Sequence, residues 1–355
     1  SSDLRFWPMS RRSRPKQLLT IFSNETLLEG TLRRLEGLVP NERIFLLTNE
    51  EQEAAVRALV PQIPAENIVA EPAKRDTAAA IALGVGLIAR RDPTATMVVL
   101  PADQLIRDVE AFQQTVRTAA IAAEKTESLV TIGIQPTWPC TFFGYIEEGR
   151  QLTIPGLEPN APAVREVLRF REKPATELAE SFLREGNFRW NAGMFIWTIP
   201  SIVREFGRLV PPLADFIAKL HGAQRVETVV HEHFAALPKV SIDYAIMERT
   251  SHILVVEANF DWDDVGNWIA ASKYWPHDEY GNAANVAVTA VEASNNIIFS
   301  DPNLSQLHGA PPLRVGLVGV DDIIVVQTRD AILVCNRHEA DKIKHLVAKL
   351  PREQQ

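Results

Sequence analysis

"DTAAAIALGVGLIARRDPTATMVVLPAD" (residues 76–103) carries a complete helix-to-strand unit in one stretch. Asp76 stands where a helix cap belongs, and an Ala- and Leu-rich apolar run follows it. Arg90 and Arg91 suit the negative end of the helix dipole, and Pro93 prevents continuation. "TMVVLPAD" (96–103) then reads as a buried strand running into a loop that ends on a carboxylate. The same rhythm extends on both sides. "RIFLLTNE" (43–50) reads as a strand and "EEQEAAVRALV" (50–60) as a helix. "FQQTVRTAAIAAEK" (112–125) is helical, and "LVTIGI" (129–134) is another strand. Alternation of this kind predicts an α/β fold with a Rossmann-like, mixed but mostly parallel sheet and helices on both faces.

Beyond residue 160 the texture changes. "VREVLRFREKP" (164–174) and "NAGMFIWTI" (191–199) read as strands around a helix at 175–186, and the pair is expected to place an antiparallel edge on the sheet. "SIDYAIMER" (241–249) reads as a short helix capped by Ser241, and "HILVVEANFDWDDVGNW" (252–268) as a strand entering an acidic loop. From residue 273 the chain turns to short strands and then a helix over 338–350. Two domains are therefore expected, residues 1–272 and a small β-rich unit at 273–355.

The 355 residues carry a net charge of −8 and 46% hydrophobic residues, which suits an ordinary globular protein. The acidic balance argues against general nucleic-acid binding. No apolar run reaches the roughly 18 residues of a membrane span. With no secretory pattern at the start, a cytoplasmic protein is expected. The two cysteines, Cys140 and Cys335, lack metal-ligand spacing.

Against that acidic background, five basic residues gather near the start: Arg5, Arg11, Arg12, Arg14 and Lys16. The cluster needs a local anion if it has a partner, and a polyphosphate near a carboxylate-bound cation would suit it; a solvated basic face is the alternative. Trp7, Pro8 and Met9 before it, and Leu18, Leu19, Ile21 and Phe22 after it, should anchor the segment to the sheet core. Asp103 and Asp264 each follow a strand. In open α/β sheets ligands gather outside the strands' carboxyl ends, so the two could share one hard cation such as Mg²⁺; two metal-free turn residues is the other reading. In "REKP", Lys173 could hold a second phosphate and Glu172 could accept from hydroxyls. "HEH" (231–233) reads as solvated surface, because helix positions two apart do not share a face.

The motifs "RFWPMSR…RPKQLL", "VVLPADQ", "FGYIEEG", "FREKP", "NAGMFIW", "SIDYAIMER" and "FDWDDVGNW" occur in the order found in mannose-1-phosphate guanylyltransferases, a nucleotidyltransferase family that the chain resembles throughout. The resemblance implies transfer of GMP from GTP to α-D-mannose 1-phosphate, giving GDP-mannose and pyrophosphate. It implies that Arg5 and Lys16 act on the triphosphate and that Asp103 and Asp264 hold Mg²⁺. Lys173 would meet the sugar phosphate, with Glu172, Asn191 and the Gly144–Tyr145 backbone framing the mannose. Glu71, Arg75 and Thr77, in "EPAKRDTAAAI", would lie near guanine or ribose. A transferase for another nucleotide or hexose 1-phosphate, or a catalytically silent sugar-nucleotide binder, is the alternative. Strand edges in the C-terminal unit could pair two copies into a homodimer.

The sequence departs from the family pattern twice. The family opens with a strand and a glycine-rich turn, roughly "LAGGxGxRFWP", whereas here "SSDL" precedes "RFWP" and Asp3 takes the place of a signature glycine. The expectation is that the sequence given lacks preceding residues that carry that strand. In "WPCTFFGYI", Cys140 and Phe142 replace part of a "PETGYGYI" pattern, which alters the expected sugar contacts.

Overall fold

A computed structural model describes residues 2–304 and 313–354, without the side chains of Ser2, Asp3 and Glu353. The Asp3 carboxylate, set by the sequence reading where the family has glycine, therefore lies outside what is described. In chain order the first domain runs α1 (Leu27–Leu35), β1 (Leu46–Asn49), α2 (Glu50–Leu59), β2 (Ile68–Glu71), α3 (Asp76–Arg91), β3 (Thr96–Val99), α4 (Val109–Thr126) and β4 (Leu129–Ile134). It continues through β5 (Tyr145–Leu152), β6 (Val164–Arg171), α5 (Thr176–Glu185), β7 (Phe188–Thr198), α6 (Ile199–Leu209), α7 (Pro211–Gly222), α8 (Val226–His233), β8 (Ile253–Glu257) and α9 (Trp268–Ser272).

Six strands form one sheet in the order β3-β7-β4-β8-β6-β5, and β1 and β2 form a separate parallel pair. The mixed α/β architecture expected from the alternation is present, with helices on both faces, but the six-stranded sheet is not mostly parallel: β4–β8 is its parallel pair, and the pairings β3–β7, β4–β7, β6–β8, β5–β6 and β5–β7 are antiparallel. Leu28 and Leu32 of α1 and Phe112 and Val116 of α4 pack with Ile132 and Ile196 on one side. The apolar face of α3 packs with α6, α7, Trp197 and Val255 on the other. The α3–α7 contact depends on Gly86, where an added Cβ would lie 2.5 Å from Leu220 Cδ1.

The antiparallel strand expected at an edge is instead internal. β7 runs antiparallel between β3 and β4, and its first residues also pair with β5. Its residues are buried almost without interruption, so it belongs where both faces are covered, whereas β5 pairs with both β6 and β7 through Tyr145, Ile146 and Glu147 and turns polar only beyond them. Asp76 does not cap α3 from outside. It is the helix's first residue, in a left-handed conformation (φ 67°), and its Oδ1 accepts from the Thr77 N–H at 2.8 Å.

The C-terminal unit stacks short strands: β9 (Ala283–Ala284), β10 (Ala287–Val291), β11 (Ile297–Ser300), β12 (Arg314–Val318), β13 (Ile323–Gln327) and β14 (Ile332–Asn336). The pairs β10–β12 and β11–β13 are parallel, and β13–β14 is antiparallel. The single helix expected over 338–350 is a 3₁₀ segment, Arg337–Lys342, followed by the short α10 (Ile343–Val347). The Asn336 side chain accepts from the His338 N–H and tightens that first turn.

The basic opening segment is anchored differently from the expectation. Leu18 enters the core under the sheet, but Phe6, Trp7, Met9, Leu19 and Ile21 pack into a separate cluster with Trp268, Trp275, Phe299, Val326, Ile343 and Val347. The apolar flanks thus fix the segment to the C-terminal domain. Indole N–H groups reinforce the contact: Trp275 donates to the Ile21 carbonyl (3.1 Å) and Trp7 to that of Gln354 (3.0 Å), while Trp268 of α9 donates to that of Trp7 (3.1 Å).

Candidate active site

Lys16 forms the centre of the site. Its side chain is 5% exposed, and its ammonium donates to Asp103 Oδ2 at 3.0 Å and to the Asp264 carbonyl, with Asp264 Oδ1 3.9 Å away. Asp103 arrives on the loop after β3 and Asp264 on the acidic loop beyond β8, where a bridge between Leu105 and Asp263 ties the two loops together. Two carboxylates far apart in sequence therefore converge on one point. Asp264 is held above the ordinary carboxylate value, chiefly by burial, against the pull of Lys16 and with the like charge of Asp103. Two hard oxygen donors at one point suit Mg²⁺, which commonly takes only one or two protein carboxylates. Among the described residues no group of three or more His, Cys, Asp or Glu side chains gathers in a metal-binding arrangement.

Next to this cluster lies a cavity of about 160 Å³, walled by Gln104, Phe142, Gly144, Glu172, Asn191, Asp243 and Asp264 among others. Asn191 is locked in place. Its Oδ1 accepts from Thr131 Oγ1 (3.1 Å) and the Gly193 N–H (3.0 Å), and its Nδ2 donates to Asp243 Oδ1 (2.9 Å). The Glu172 carboxylate pairs with Lys173 Nζ at 2.6 Å, and the Glu172 N–H donates to Glu248 Oε1 at 2.8 Å. Lys173 stands more than half exposed at the rim. Arg5 reaches the same junction, its guanidinium carbon 5.7 Å from the centroid of the exposed Phe142 ring. The phenyl that departs from the family pattern thus lies against one of the implied phosphate-binding cations.

Gly144 has no room for a side chain, since an added Cβ would lie 2.5 Å from Glu172 Oε2 and 3.2 Å from Asn191 Cβ. Gly144→Ala is expected to push Glu172 out of the cavity. It should raise the KM for the ligand of that cavity by about tenfold, roughly one lost hydrogen bond to a charged group. The KM for a ligand of the other cavity should be unchanged, and steady-state kinetics with each varied in turn checks this.

Asp243, inside the helix expected over 241–249, lines the cavity. It sits at the start of a π-helical turn, Asp243–Met247, which directs the carboxylate inward. Burial first, and then the nearby Glu172 charge, raise its pKa to about 6. The folded state therefore binds this proton more tightly than the unfolded chain does, and stability falls as pH rises from about 4 to 6. Asp243→Asn removes that cost and is expected to stabilise the protein above pH 6, by at most about 3 kcal/mol. The advantage should vanish near pH 4, as thermal melts across that range would show.

A second, larger cavity of about 670 Å³ opens beyond the carboxyl ends of β1 and β2. Glu71 lines it and has a pKa raised to about 7 by burial. The other two residues implied near the nucleotide point elsewhere. The Arg75 guanidinium donates to the Ala235 carbonyl, and Thr77 Oγ1 accepts from the Ile242 N–H at 2.9 Å, holding the loop that carries Asp243. Tyr145 turns its fully buried ring into the core beside Phe182, leaving only its backbone near Gly144. The structure therefore brings Arg5, Lys16, Asp103, Asp264, Glu172, Asn191, Gly144 and Lys173 around one junction, sets Glu71 in the adjoining cleft, and leaves Arg75, Thr77 and the Tyr145 ring outside. Gln104 and Asp243 join the site unforeseen, although both lie inside motifs already singled out.

Residues 2–279 match the family model described as Nucleotidyl transferase, and residues 287–350 match a MannoseP isomerase/GMP-like beta-helix domain. The chain belongs to the nucleotidyl transferase family. A mannose-1-phosphate guanylyltransferase of Sinorhizobium fredii is 36% identical over 99% of this chain and 66% of its own length. One of Klebsiella pneumoniae is 35% identical over 99% of this chain and 72% of its own length. The chain thus spans about two thirds to three quarters of these relatives. A crystal structure of mannose-1-phosphate geranyltransferase from Thermus thermophilus superposes with a TM-score of 0.83 at 32% identity, covering 98% of this chain and 96% of that one. Among the described residues no helix is long and apolar enough to cross a membrane.

Proposed function

We propose that this nucleotidyltransferase makes GDP-mannose from GTP and α-D-mannose 1-phosphate and releases pyrophosphate. The observation that carries the reading is the convergence of Asp103, Asp264 and Lys16, with Asp264 lining the smaller cavity and Pro15, next to Lys16, lining the larger, in a chain whose relatives are named for this reaction. The sugar occupies the smaller cavity, where Glu172, Asn191 and Asp243 supply hydroxyl partners and Lys173 holds the sugar phosphate. The nucleotide occupies the larger cleft. A sugar-phosphate oxygen attacks the α-phosphorus of GTP as the bond to the leaving pyrophosphate breaks, and no covalent enzyme intermediate forms. The residues act by positioning and by neutralising charge, as in phosphoryl transfer generally. Arg5 and Lys16 balance the triphosphate, and Lys16 holds the departing pyrophosphate. Asp103 and Asp264 would hold Mg²⁺, which when bound supplies charge neutralisation on the reacting phosphates.

The test is pyrophosphate release with Mg²⁺ and mannose 1-phosphate, offering GTP, ATP, UTP, CTP and dTTP in parallel. Release with GTP alone is the expected result. Release only with another nucleotide would overturn the substrate, and release with none from folded protein would overturn the reaction.

A further inference from the structure

The larger cavity is not enclosed by the catalytic domain alone. Leu4 and Pro15 of the opening segment form one wall, and Asn49 and Glu71 at the strand ends form another. The third wall comes from the C-terminal domain, where Lys344, Val347 and Ala348 line the cavity. The placement of α10 is fixed, because Ile343 and Val347 are buried in the cluster that holds Phe6 and Trp7. With that stripe committed to the core, the exposed Lys344 is presented to the cleft.

Charge gives this wall its meaning. Glu50, Glu51 and Glu71 line the cleft and would repel an anion, while Arg11, Arg12 and Lys74 line it with positive charge from the catalytic domain and Lys344 from the C-terminal one. Arg11 is paired with Asp330 of the C-terminal domain at 3.1 Å. A volume of about 670 Å³ is within the range of sites for drug-sized ligands. An ammonium is a compact point charge that suits phosphate oxygens better than the edge of a base.

We propose that the C-terminal domain completes the nucleotide site, and that Lys344 of α10 binds the phosphates of the incoming nucleoside triphosphate. The inference rests on the nucleotide occupying the larger cleft, as under the proposed function. It makes the small domain part of the substrate site as well as a support for the catalytic loop.

The test is titration calorimetry of the full chain with each nucleoside triphosphate and with guanosine, alongside steady-state kinetics. Lys344→Ala should weaken GTP binding about fivefold and Lys344→Glu more than tenfold, while Lys344→Arg should stay near wild type. Guanosine affinity, the KM for mannose 1-phosphate and kcat at saturating GTP should not move. Lys349→Glu, an exposed charge change just beyond α10 and outside the cavity lining, is the control and should bind as wild type does. GTP affinity within twofold of wild type in Lys344→Glu would overturn the proposal while leaving the reaction standing. If another triphosphate binds with the same dependence on Lys344, the proposal stands and the GTP assignment falls. If the wild-type chain binds no triphosphate, both fall.

Discussion

Asp264→Ala is expected to lower pyrophosphate release by about a thousandfold, the scale on which active sites lose preorganised electrostatic stabilisation. The same change should leave the protein as stable as before or slightly more so. Both effects follow from one geometry. The Asp264 carboxylate is partly buried, close enough to Asp103 to feel its charge, and balanced by a Lys16 ammonium that also serves Asp103. Burial and the like charge raise its pKa, so its charged form is a net cost to the fold that function retains. Removing the side chain relieves that cost, and Lys16 keeps its 3.0 Å contact with Asp103. Activity and melting temperature measured on the same preparation separate this outcome from simple misfolding. A variant that melts well below wild type would mean that Asp264 is structural. One that keeps wild-type turnover would remove it from the catalytic machinery.

The sequence announced elements with strong local signals and was silent about those set by long-range pairing. α3 and β4 are found at the residues expected, 76–91 and 129–134, because dipole-matched ends, a following proline and continuous apolarity mark them locally. Sheet order is a non-local property, so "NAGMFIWTI" disclosed a strand without its place between β3 and β4. The apolar run from Met194 to Trp197, with side chains for both faces of the sheet, fits an interior position. Asp103 and Asp264 could be found as candidates because a carboxylate just beyond a buried strand lies where α/β folds gather ligands. Asp243 could not, because a π-helical turn decides which way its side chain faces. The contact between the opening segment and the C-terminal domain joins residues more than 250 positions apart, and no local pattern encodes it. Its trace was composition, since Trp7, Trp268 and Trp275 are three of the chain's seven tryptophans and all meet in one cluster.

That cluster bears the second large expected effect. Trp268 is fully buried, with its ring centroid 5.2 Å from both Phe6 and Phe299. Trp268→Ala should destabilise the protein by about 3–5 kcal/mol, the usual range for emptying a buried aromatic site. It also leaves the Trp7 carbonyl without its indole donor. Activity should suffer beyond what unfolding accounts for, because Phe6 adjoins Arg5 and the segment leads on to Lys16. A phosphate-binding segment released from its support must recover its geometry from substrate binding energy, so the KM for GTP should rise while the KM for mannose 1-phosphate changes little. Trp268→Phe is the milder change. It keeps one aromatic ring but loses the N–H donor and the rest of the indole, so it should cost less than Trp268→Ala, about 2–3 kcal/mol, and retain more activity. Urea unfolding of both variants, paired with kinetics under conditions where each is folded, measures the two effects separately. If Trp268→Ala keeps the wild-type KM for GTP while losing stability, the aromatic cluster supports the fold alone. If the KM rises as expected, the cluster that α9 shares with the C-terminal domain is what holds the catalytic segment in register with Asp103 and Asp264.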